Sequence, residues 1–434
     1  MLDIDFVRNH PDIVKKAIAD KNIGLDLDEF ISLDGKRRQL IKNIDDLRRR
    51  QNDFNKKVIR LQGSEKQSAL DDIKAVSINL KESGKEIKEI EGVWSDMYAL
   101  VPNIASSDTP VGMDERANVE VEKWGDLPKF DFDIKSHLQL GRDLDIIDFK
   151  RGVNTSGFRG YYLKNEGAIL HLAVLNYALK KIVGNGFTPM ITPVIIRDFA
   201  LLGSGHFPFG REDIYELANT GKDKSGKDLG EKLYLAGTSE PSLLAYFAGE
   251  TLDESDLPKK VCGYSQCFRN EVGSYGKDTK GLYRIHEFSK VEQVVICRAD
   301  EKESEQWLQK MRGYAQEVLR ELGLPHRVLQ ICTGDMGAGK RKMYDLETWM
   351  PSRDGYGETH SDSDLTDWQT RRLNIKYKTK DGEKKHPYAL NNTVIASPRI
   401  LIAILENFQQ KDGSVKIPEP LVDFCGFDKI SPKK

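Results

Sequence analysis

The sequence predicts an α+β protein in which a long antiparallel pair of helices precedes a domain built on an antiparallel β-sheet with flanking helices. Three observations support this expectation. Apolar residues recur at alternating spacings of three and four between about residues 29 and 100, a Pro/Ser-rich link follows, and beyond it short β-like runs alternate with glycines. We therefore expect residues 1–104 to form one domain and residues 105–434 another.

The composition is that of a globular chain. Of its 434 residues, 39% are hydrophobic and 31% are charged, and the net charge is −2. The N-terminus, MLDIDFVRNHPDIVKKAI, has no apolar signal core, which predicts a cytoplasmic protein. The longest apolar stretches, such as residues 400–405, fall far short of the ~20 residues that span a bilayer, so no membrane partner is expected. Five cysteines without a CxxC pair favour buried thiols over disulfides or a zinc ribbon.

Two apolar seams predict a helical hairpin over about residues 29–100. The first seam consists of Leu40, Ile44, Leu47, Gln51, Phe54, Val58 and Leu61, and the second of Ile73, Val76, Leu80, Ser83, Ile87, Ile90, Trp94 and Met97. Both spacings are typical of coiled-coil a and d positions. Residues 62–65 are expected to form the turn, which makes the helices antiparallel. Each helix would be roughly 50 Å long and would project as an arm.

The first helix of this predicted arm is rich in lysine and arginine. Arg48, Arg49 and Arg50 stand together near its middle. Such charges can simply solvate a coiled coil through pairs with acidic neighbours, or they can contact the phosphates of a nucleic acid. The helical pattern alone leaves both interpretations open.

The central segment of the second domain is FRNEVGSYGKDTKGLYRIHEF, which runs from Phe268 to Phe288. Its pattern predicts a strand, a polar glycine-rich loop and a second strand. Arg269 is suited to clamp a phosphate with two parallel hydrogen bonds, and Phe288 can offer a ring to a nucleobase. By itself, an Arg-x-Glu pattern in a β-hairpin is weak evidence for a nucleotide site and is more typical of an ordinary surface ion pair.

The full string through Gln293 closely resembles motif 2 of class II aminoacyl-tRNA synthetases, in the version found in seryl-tRNA synthetases. Residues 166–193 resemble motif 1, residues 236–240 resemble the serine-binding loop, and residues 391–399 with the helix that follows resemble motif 3. The predicted arm resembles the tRNA-binding arm of the same family. The resemblance covers essentially the whole chain, and it implies a class II catalytic domain and a homodimer formed through motif 1.

The resemblance implies that the protein uses ATP to convert L-serine to seryl-adenylate and transfers serine to the 3′ end of tRNA(Ser). Serylation of tRNA(Sec), in a host that has it, is a further expectation that the sequence leaves open. Arg269 is implied to hold the α-phosphate and Arg399 the γ-phosphate, both as catalytic residues, while Phe288 packs on adenine. The complete ATP-binding set that the resemblance implies is Arg269, Glu271, Arg284, Phe288, Glu358, Ser361 and Arg399.

The resemblance also implies a serine site. Glu271 would face the α-ammonium group, and Glu292 and Thr393 would meet the hydroxyl. The complete implied set is Thr238, Glu240, Arg269, Glu271, Glu292, Asn391 and Thr393. A site that hydrogen-bonds a hydroxyl discriminates against alanine, because alanine leaves buried polar atoms unpaired.

A magnesium ion and the tRNA are the remaining implied partners. Glu358 and Ser361 match the family positions that bring Mg²⁺ to the phosphates, and both are hard oxygen ligands. The next residues depart from the family pattern, and we expect the acids among them, Asp362 and Asp364, to point outward. Arg48, Arg49 and Arg50 are the implied tRNA-binding residues of the arm.

Four other interpretations require different features of the sequence. Carrier-protein ligases related to this family lack a long arm, and a catalytically dead RNA-binding relative would lack Arg269, Glu271 or Arg399. The class II synthetases for threonine or proline carry a C-terminal anticodon domain. The archaeal type of seryl enzyme holds zinc through a cysteine, and Cys267 is the one thiol that keeps this alternative open.

His286 is expected to be a packed, hydrogen-bonded histidine.

Overall fold

The computed structural model describes residues 1–219, 221–222, 224–227, 230–272 and 281–433. They fall into two compact units. The smaller unit comprises Asp3–Ala19 and Ile23–Pro102, and the larger comprises Met1–Leu2, Asp20–Asn22 and Asn103–Lys434. Within the described part of the chain, no helix is both long enough and apolar enough to cross a membrane.

The smaller unit is helical. Its helices are α1 (Ile4–Asn9), α2 (Pro11–Asp20), α3 (Leu27–Val58) and α4 (Gly63–Leu100). The side chain of Asp26 caps α3 by accepting hydrogen bonds from the backbone N–H groups of Asp28 and Glu29. Helices α3 and α4 form the predicted antiparallel hairpin, in which Gln51 Nε2 donates to Ser77 Oγ at 2.8 Å. The two long helices predicted from the apolar seams are therefore confirmed.

The turn of the hairpin lies slightly earlier than predicted. Helix α3 ends at Val58 and α4 begins at Gly63, so residues 59–62 connect them. Ser64 and Glu65, which the sequence placed in the turn, belong to the first turn of α4. An acidic residue is favourable there because the unpaired N–H groups of a helix start carry partial positive charge.

A buried carboxylate fixes the base of the hairpin. Asp34 on α3 accepts hydrogen bonds from Arg8 Nε at 2.8 Å, from Arg8 Nη2 at 2.9 Å and from Trp94 Nε1 at 3.1 Å. Phe30 stacks on Tyr98 with ring centres 5.7 Å apart. The short N-terminal helix and both arm helices are thereby joined through one charge-assisted network.

The larger unit alternates helices and strands. Its helices are α5 (His137–Asp143), α6 (Phe149–Ser156), α7 (Glu166–Gly184), α8 (Asp198–Ser204), α9 (Glu240–Ala245), α10 (Glu301–Glu321), α11 (Trp368–Arg372), α12 (Arg399–Asn407) and α13 (Glu419–Cys425). Its strands are β1 (Val119–Trp124), β2 (Ile147–Asp148), β3 (Tyr162–Leu163), β4 (Thr188–Ile191), β5 (Ile195–Arg197), β6 (Leu233–Leu235), β7 (Thr251–Asp253), β8 (Lys259–Phe268), β9 (Glu287–Cys297), β10 (His326–Gln330), β11 (Lys342–Met350), β12 (Gly355–Asp364), β13 (Lys376–Lys378), β14 (Lys384–Lys385), β15 (Tyr388–Ser397), β16 (Val415–Lys416) and β17 (Lys429–Ile430).

One eight-stranded sheet organises this unit. Its strand order is β1-β10-β11-β12-β15-β9-β8-β4, and every neighbouring pair is antiparallel except β4 and β8, which are parallel. The predicted α+β class with an antiparallel sheet and flanking helices is confirmed.

The two faces of the sheet are buried by different helices. Along β9, Val291, Val295 and Cys297 join the core formed with α7 and α10, whereas Val294 and Ile296 join a second core formed with α9. This alternation follows from the two-residue period of a strand. The central strands are therefore apolar on both faces except where they carry the polar residues described below.

Candidate active site

One cavity of about 200 Å³ in the larger unit brings together residues that lie far apart in the sequence. It is lined by every predicted ATP- and serine-site residue except Arg284: Thr238, Glu240, Arg269, Glu271, Phe288, Glu292, Glu358, Ser361, Asn391, Thr393 and Arg399. A pocket of this kind, with several convergent polar groups, is the usual form of a small-molecule site.

The sheet places the side chains on one wall of this cavity. Phe288, Lys290 and Glu292 follow each other at a spacing of two on β9 and so point to the same face. Asn391 and Thr393 do the same on β15, where Thr393 lies directly opposite Glu292. Rigid strands therefore hold this polar wall in register.

Arg269 stands just beyond the end of β8. Its Nε donates to the carbonyl oxygen of Gly237 at 3.3 Å, and its guanidinium carbon lies 5.3 Å from the centre of the Phe288 ring. A guanidinium has five N–H donors, so these contacts orient the group without using all of them. Arg269 thus faces the cavity beside an aromatic ring.

Arg399 is the first residue of α12. Its Nε donates to the carbonyl oxygen of Tyr283 at 3.0 Å, and its guanidinium carbon lies 4.5 Å from the Tyr283 ring centre. Its Nη1 lies 3.6 Å from a carboxylate oxygen of Glu358. The second arginine is therefore oriented by the segment that leads into β9.

Glu271 and Arg284 form an ion pair at the edge of the cavity. Arg284 Nη1 donates to Glu271 Oε2 at 3.0 Å. Glu271 has a φ of 57°, in the left-handed region that a residue with a side chain seldom adopts. Such a conformation costs about 1 to 3 kcal/mol, and residues that adopt it cluster at active sites and ligand-binding sites. Arg284 thereby acts on the cavity through Glu271.

A buried triad lies at the end of the cavity between β9 and β15. Glu292 accepts hydrogen bonds from Lys290 Nζ at 2.7 Å and from Thr393 Oγ1 at 3.1 Å. Burial raises the pKa of Glu292, while the positive charge of Lys290 opposes that rise. The triad combines a carboxylate, an ammonium and a hydroxyl, which can recognise a small polar ligand.

A second buried carboxylate orients Asn391. Glu240 Oε1 accepts hydrogen bonds from Gln369 Nε2 at 2.6 Å and from Asn391 Nδ2 at 2.9 Å. Burial alone would raise the pKa of Glu240, but the charge of Lys340 and the bond from Gln369 help to bring it below its ordinary value. Glu240 is therefore a carboxylate at neutral pH.

The cavity also offers oxygen ligands suited to a magnesium ion. Glu358 lies on β12 together with Ser361, which is directly opposite Asp345 of β11. Burial and the nearby negative charge of Glu358 raise the pKa of Asp345 well above its usual range, and Asp345 Oδ1 is buried without a hydrogen-bond partner. In the described ranges, no three or more His, Cys, Asp or Glu side chains are grouped to hold a metal. A Mg²⁺ ion would therefore take further ligands from phosphates and water.

Comparison with known proteins decides the family. Residues 1–105 match the Seryl-tRNA synthetase N-terminal domain, and residues 222–408 match the tRNA synthetase class II core domain (G, H, P, S and T). The chain is 42% identical to the serine--tRNA ligase of Borreliella afzelii (strain PKo), with 99% of each chain covered. The chain belongs to the seryl-tRNA synthetase family.

Two solved structures of this family resemble the whole chain. Seryl-tRNA synthetase from Pyrococcus horikoshii, complexed with ATP, has a TM-score of 0.89 and 36% identity and covers 100% of both chains. The cytoplasmic serine-tRNA ligase from Naegleria fowleri, in complex with AMP, has a TM-score of 0.84 and 30% identity and covers 100% of this chain and 99% of that one. The family resemblance inferred from the motifs is thus confirmed along the full length.

The arm arginines of this seryl-tRNA synthetase family member are exposed on α3. The Arg48 and Arg49 side chains are 68% and 76% exposed, and they lie 3.6 and 3.7 Å from Asp45 and Asp46. Loose pairs of this kind on a helix surface contribute little to stability and separate easily. The arginines are accordingly accessible to a phosphate backbone.

The expectation for Asp362 and Asp364 is wrong, because both side chains are fully buried. Asp362 lies between Tyr344 and Asn392 on neighbouring strands, on the sheet face opposite Ser361. Burial raises its pKa well above the ordinary value. Asp364 accepts a hydrogen bond from the backbone N–H of Thr366 at 2.8 Å. The outward orientation would require a solvent-exposed face of the sheet, whereas β12 lies inside the sheet and both Asp362 and Asp364 are buried there.

Two further expectations concern His286 and Cys267. His286 is hydrogen-bonded as predicted, with Nδ1 3.0 Å from the carbonyl oxygen of Arg269. Cys267 is fully buried, and burial raises the pKa of its thiol, which disfavours the thiolate that zinc requires.

Residues 273–280, the predicted glycine-rich loop of motif 2, lie outside the described residues.

Among the cavity residues that the sequence analysis did not identify are His206, Lys290 and Lys340. Lys290 could have been found, because it stands two residues before Glu292 on a predicted strand and must share its face. Lys340 and His206 come from segments outside the four motifs. Their approach depends on tertiary packing, so no local signal could have revealed it.

Proposed function

We propose that this chain activates L-serine with ATP and transfers it to the 3′ end of tRNA(Ser), and that the cavity described above performs the activation. The single observation that carries the proposal is the convergence of eleven of the twelve predicted ATP- and serine-site residues on one cavity in a chain of this family. Serylation of tRNA(Sec) stays a prediction. A cytoplasmic location is proposed with the function, because the aminoacylated tRNA is consumed in translation.

The activation step needs positive charge more than proton transfer. A carboxylate oxygen of serine forms a bond to the α-phosphorus of ATP, and the bond from that phosphorus to pyrophosphate breaks. Negative charge accumulates on phosphate oxygens in the transition state, and positioned cations stabilise it. We assign Arg269 to the α-phosphate and Arg399 to the γ-phosphate, because both guanidiniums are oriented by backbone carbonyls at the cavity wall. Phe288 is assigned to adenine.

The serine end of the cavity is assigned to the Glu292–Thr393 pair. A hydroxyl can donate to Glu292 and accept from a neighbouring donor, and both protein groups are buried on rigid strands. We assign Glu271 to the α-ammonium group, and Thr238, Glu240 and Asn391 to the support of the same pocket. Alanine would leave the buried carboxylate without its hydroxyl partner, so the site discriminates by an unpaired polar group.

Magnesium is proposed as the metal that accompanies ATP. Glu358 and Ser361 would hold it, and Asp345, opposite Ser361, is a third oxygen donor at the same place. When bound, the ion would neutralise charge on the phosphates during the displacement.

A homodimer through motif 1 is proposed from exposed apolar side chains in that segment. Ile191 is 90% exposed at the end of β4, and Ile169, Leu172 and Val183 are exposed on α7. Exposed apolar side chains that form a contiguous patch typically mark an interface, and a second copy of motif 1 would cover these four. A two-fold pair is the commonest arrangement of identical chains.

Transfer to tRNA is the second half-reaction. A hydroxyl of the terminal ribose attacks the carbonyl carbon of seryl-adenylate, and AMP leaves with the bonding electrons. The exposed arginines of α3, Arg48, Arg49 and Arg50, are assigned to the tRNA backbone.

Pyrophosphate–ATP exchange with each of the twenty amino acids, followed by charging of tRNA(Ser), tests the proposal. We expect exchange with serine well above all others and stable seryl-tRNA formation. Exchange without charging of tRNA would instead indicate a ligase that loads another carrier. Absence of exchange would indicate a protein that has lost activation.

A further inference from the structure

A buried histidine connects the helix of Arg399 to the chain segment that leads into β9. His137 is the first residue of α5, and its Nδ1 lies 2.9 Å from Glu406 Oε1. The backbone N–H of Leu282 donates to His137 Nε2 at 3.3 Å. Because Nε2 accepts a hydrogen bond, the ring hydrogen resides on Nδ1, which donates it to Glu406. One tautomer thus serves both contacts.

Glu406 is itself held in one position. It is fully buried on α12, and it accepts hydrogen bonds from the backbone N–H of His137 at 2.8 Å, from the backbone N–H of Ser352 at 2.9 Å and from Ser352 Oγ at 2.8 Å. Glu406 lies two helical turns after Arg399, close to the same side of the helix. The orientation of His137 is therefore tied to the helix that presents Arg399.

The chain passes unusually close to the imidazole at Gly281. Its φ is +86°, and a Cβ atom at this position would lie 2.2 Å from His137 Nε2. Neither the conformation nor the space admits a side chain. Two features, the hydrogen bond from Leu282 and the close approach at Gly281, therefore hold the segment that begins at Gly281 against the imidazole ring of His137.

Tyr283 and Arg284, the two residues that follow Leu282, contact residues of the proposed active site and are here called the nucleotide wall. The carbonyl oxygen of Tyr283 accepts a hydrogen bond from Arg399 Nε, and Arg284 pairs with Glu271. We propose that His137, oriented by Glu406, is a positioning residue for ATP: it fixes Leu282 and so sets Tyr283 and Arg284 against Arg399. The inference rests on the proposed ATP-binding role of this wall.

Two substitutions at His137 separate its two hydrogen bonds. In His137→Asn, the short amide can replace the Nδ1–H donor to Glu406 but cannot reach Leu282. In His137→Gln, the longer amide can place its oxygen where Nε2 stood and accept from Leu282. In serine-dependent exchange by the full-length protein, we expect His137→Asn to raise the KM for ATP by about fivefold, as one lost hydrogen bond would, and to change the KM for serine less than twofold. His137→Gln should restore the KM for ATP.

Gly281→Ala tests the same contact from the other side and should also raise the KM for ATP. His326→Asn is a matched control, because His326 is a buried histidine whose Nδ1 lies 3.0 Å from the carbonyl oxygen of Leu324 and which does not line the cavity. It should lower the melting temperature without changing the KM for ATP.

Equal effects of His137→Asn and His326→Asn on both KM values, or no recovery in His137→Gln, would overturn the positioning role. Lack of serine-dependent exchange in the parent protein would overturn the proposed function and this inference together.

Discussion

Replacing Glu292 with glutamine changes the proposed hydroxyl site by one charge and almost no volume. Glu292 is buried and accepts hydrogen bonds from both Lys290 and Thr393. Glutamine keeps the length of the side chain but presents an NH₂ group where one carboxylate oxygen stood. The substitution therefore weakens the recognition of serine's hydroxyl while leaving the strand geometry intact.

The expected magnitude follows from the kind of bond that is lost. A hydrogen bond to a charged group contributes about 1.5 to 3 kcal/mol, so kcat/KM for serine should fall roughly 10- to 150-fold. Alanine has no hydroxyl and makes no such hydrogen bond in the parent protein, so this effect does not lower kcat/KM for alanine. The substitution also leaves Lys290 buried without its carboxylate, and breaking a buried pair typically costs about 3 to 5 kcal/mol of stability. The unpaired Lys290 affects the reactions of both amino acids equally. The ratio of kcat/KM for serine to kcat/KM for alanine therefore reports only the lost hydrogen bond to the hydroxyl.

The assay is pyrophosphate exchange with serine and with alanine, together with the KM for ATP and a melting curve. Glu287→Gln provides a matched control, because Glu287 lies on the same strand with an exposed side chain. We expect the serine-to-alanine ratio to fall at least tenfold in Glu292→Gln and to stay unchanged in Glu287→Gln. If kcat/KM falls by the same factor for both amino acids, Glu292 is not the hydroxyl partner and the pocket assignment is wrong.

Further perturbations address the phosphate clamp, the metal, the dimer and the arm. Arg269→Ala and Arg399→Ala should each slow exchange more than a hundredfold, since each removes about 3 kcal/mol of transition-state stabilisation; a loss below tenfold with unchanged circular dichroism would contradict the clamp. Chelation of divalent ions should abolish exchange, and added Mg²⁺ should restore it; undiminished exchange in chelator would remove Mg²⁺ from the mechanism. Ile191→Asp should convert a species of twice 49.2 kDa into one of 49.2 kDa by light scattering; an unchanged mass would place the interface elsewhere. Charge reversal at Arg48, Arg49 and Arg50 should flatten the salt dependence of tRNA binding by about one log–log unit per lost phosphate contact; an unchanged slope would leave them as solvated surface charges. Removing residues 41–87 should leave serine activation within about twofold while transfer to tRNA falls by orders of magnitude; equal losses would mean that the arm serves stability.

The sequence was informative wherever a short period or a motif carries the information. The alternating spacing of three and four residues predicted α3 and α4, because apolar burial along a helix has that period. The motif residues converged on one cavity because their relative positions are a property of the family fold. The two-residue period of a strand also places Lys290 on the same face as Glu292, so Lys290 was predictable from the sequence, although the motif match pointed to Glu292 alone.

Other features depend on the order of strands in the sheet, which no local pattern contains. Asp362 was expected to face solvent, yet it lies on an interior strand between Tyr344 and Asn392. Tyr344 lies on β11, the strand that precedes β12, but Asn392 comes from β15, which follows only after α11, β13 and β14. Gln293 Nε2 donates to Asn392 Oδ1 at 2.6 Å, so this face of three adjacent strands carries buried polar groups. A charged residue could be placed there only once the complete sheet was known.

The register of the hairpin decides where the arm can be shortened without disturbing its base. The pairs Asp34–Trp94, Arg37–Glu91 and Gln51–Ser77 show that each step forward on α3 matches an equal step back on α4. Ile41 therefore stands opposite Ile87, and a cut at this level retains the Asp34 network. Packed helices lie about 8 to 10 Å apart, a gap that four or five glycines can span. A truncation below Asp34 would instead leave Arg8 without its carboxylate, and any loss of activation would then reflect the damaged base. The cut at residues 41–87 separates these causes, so lost transfer with intact activation can be attributed to the arm.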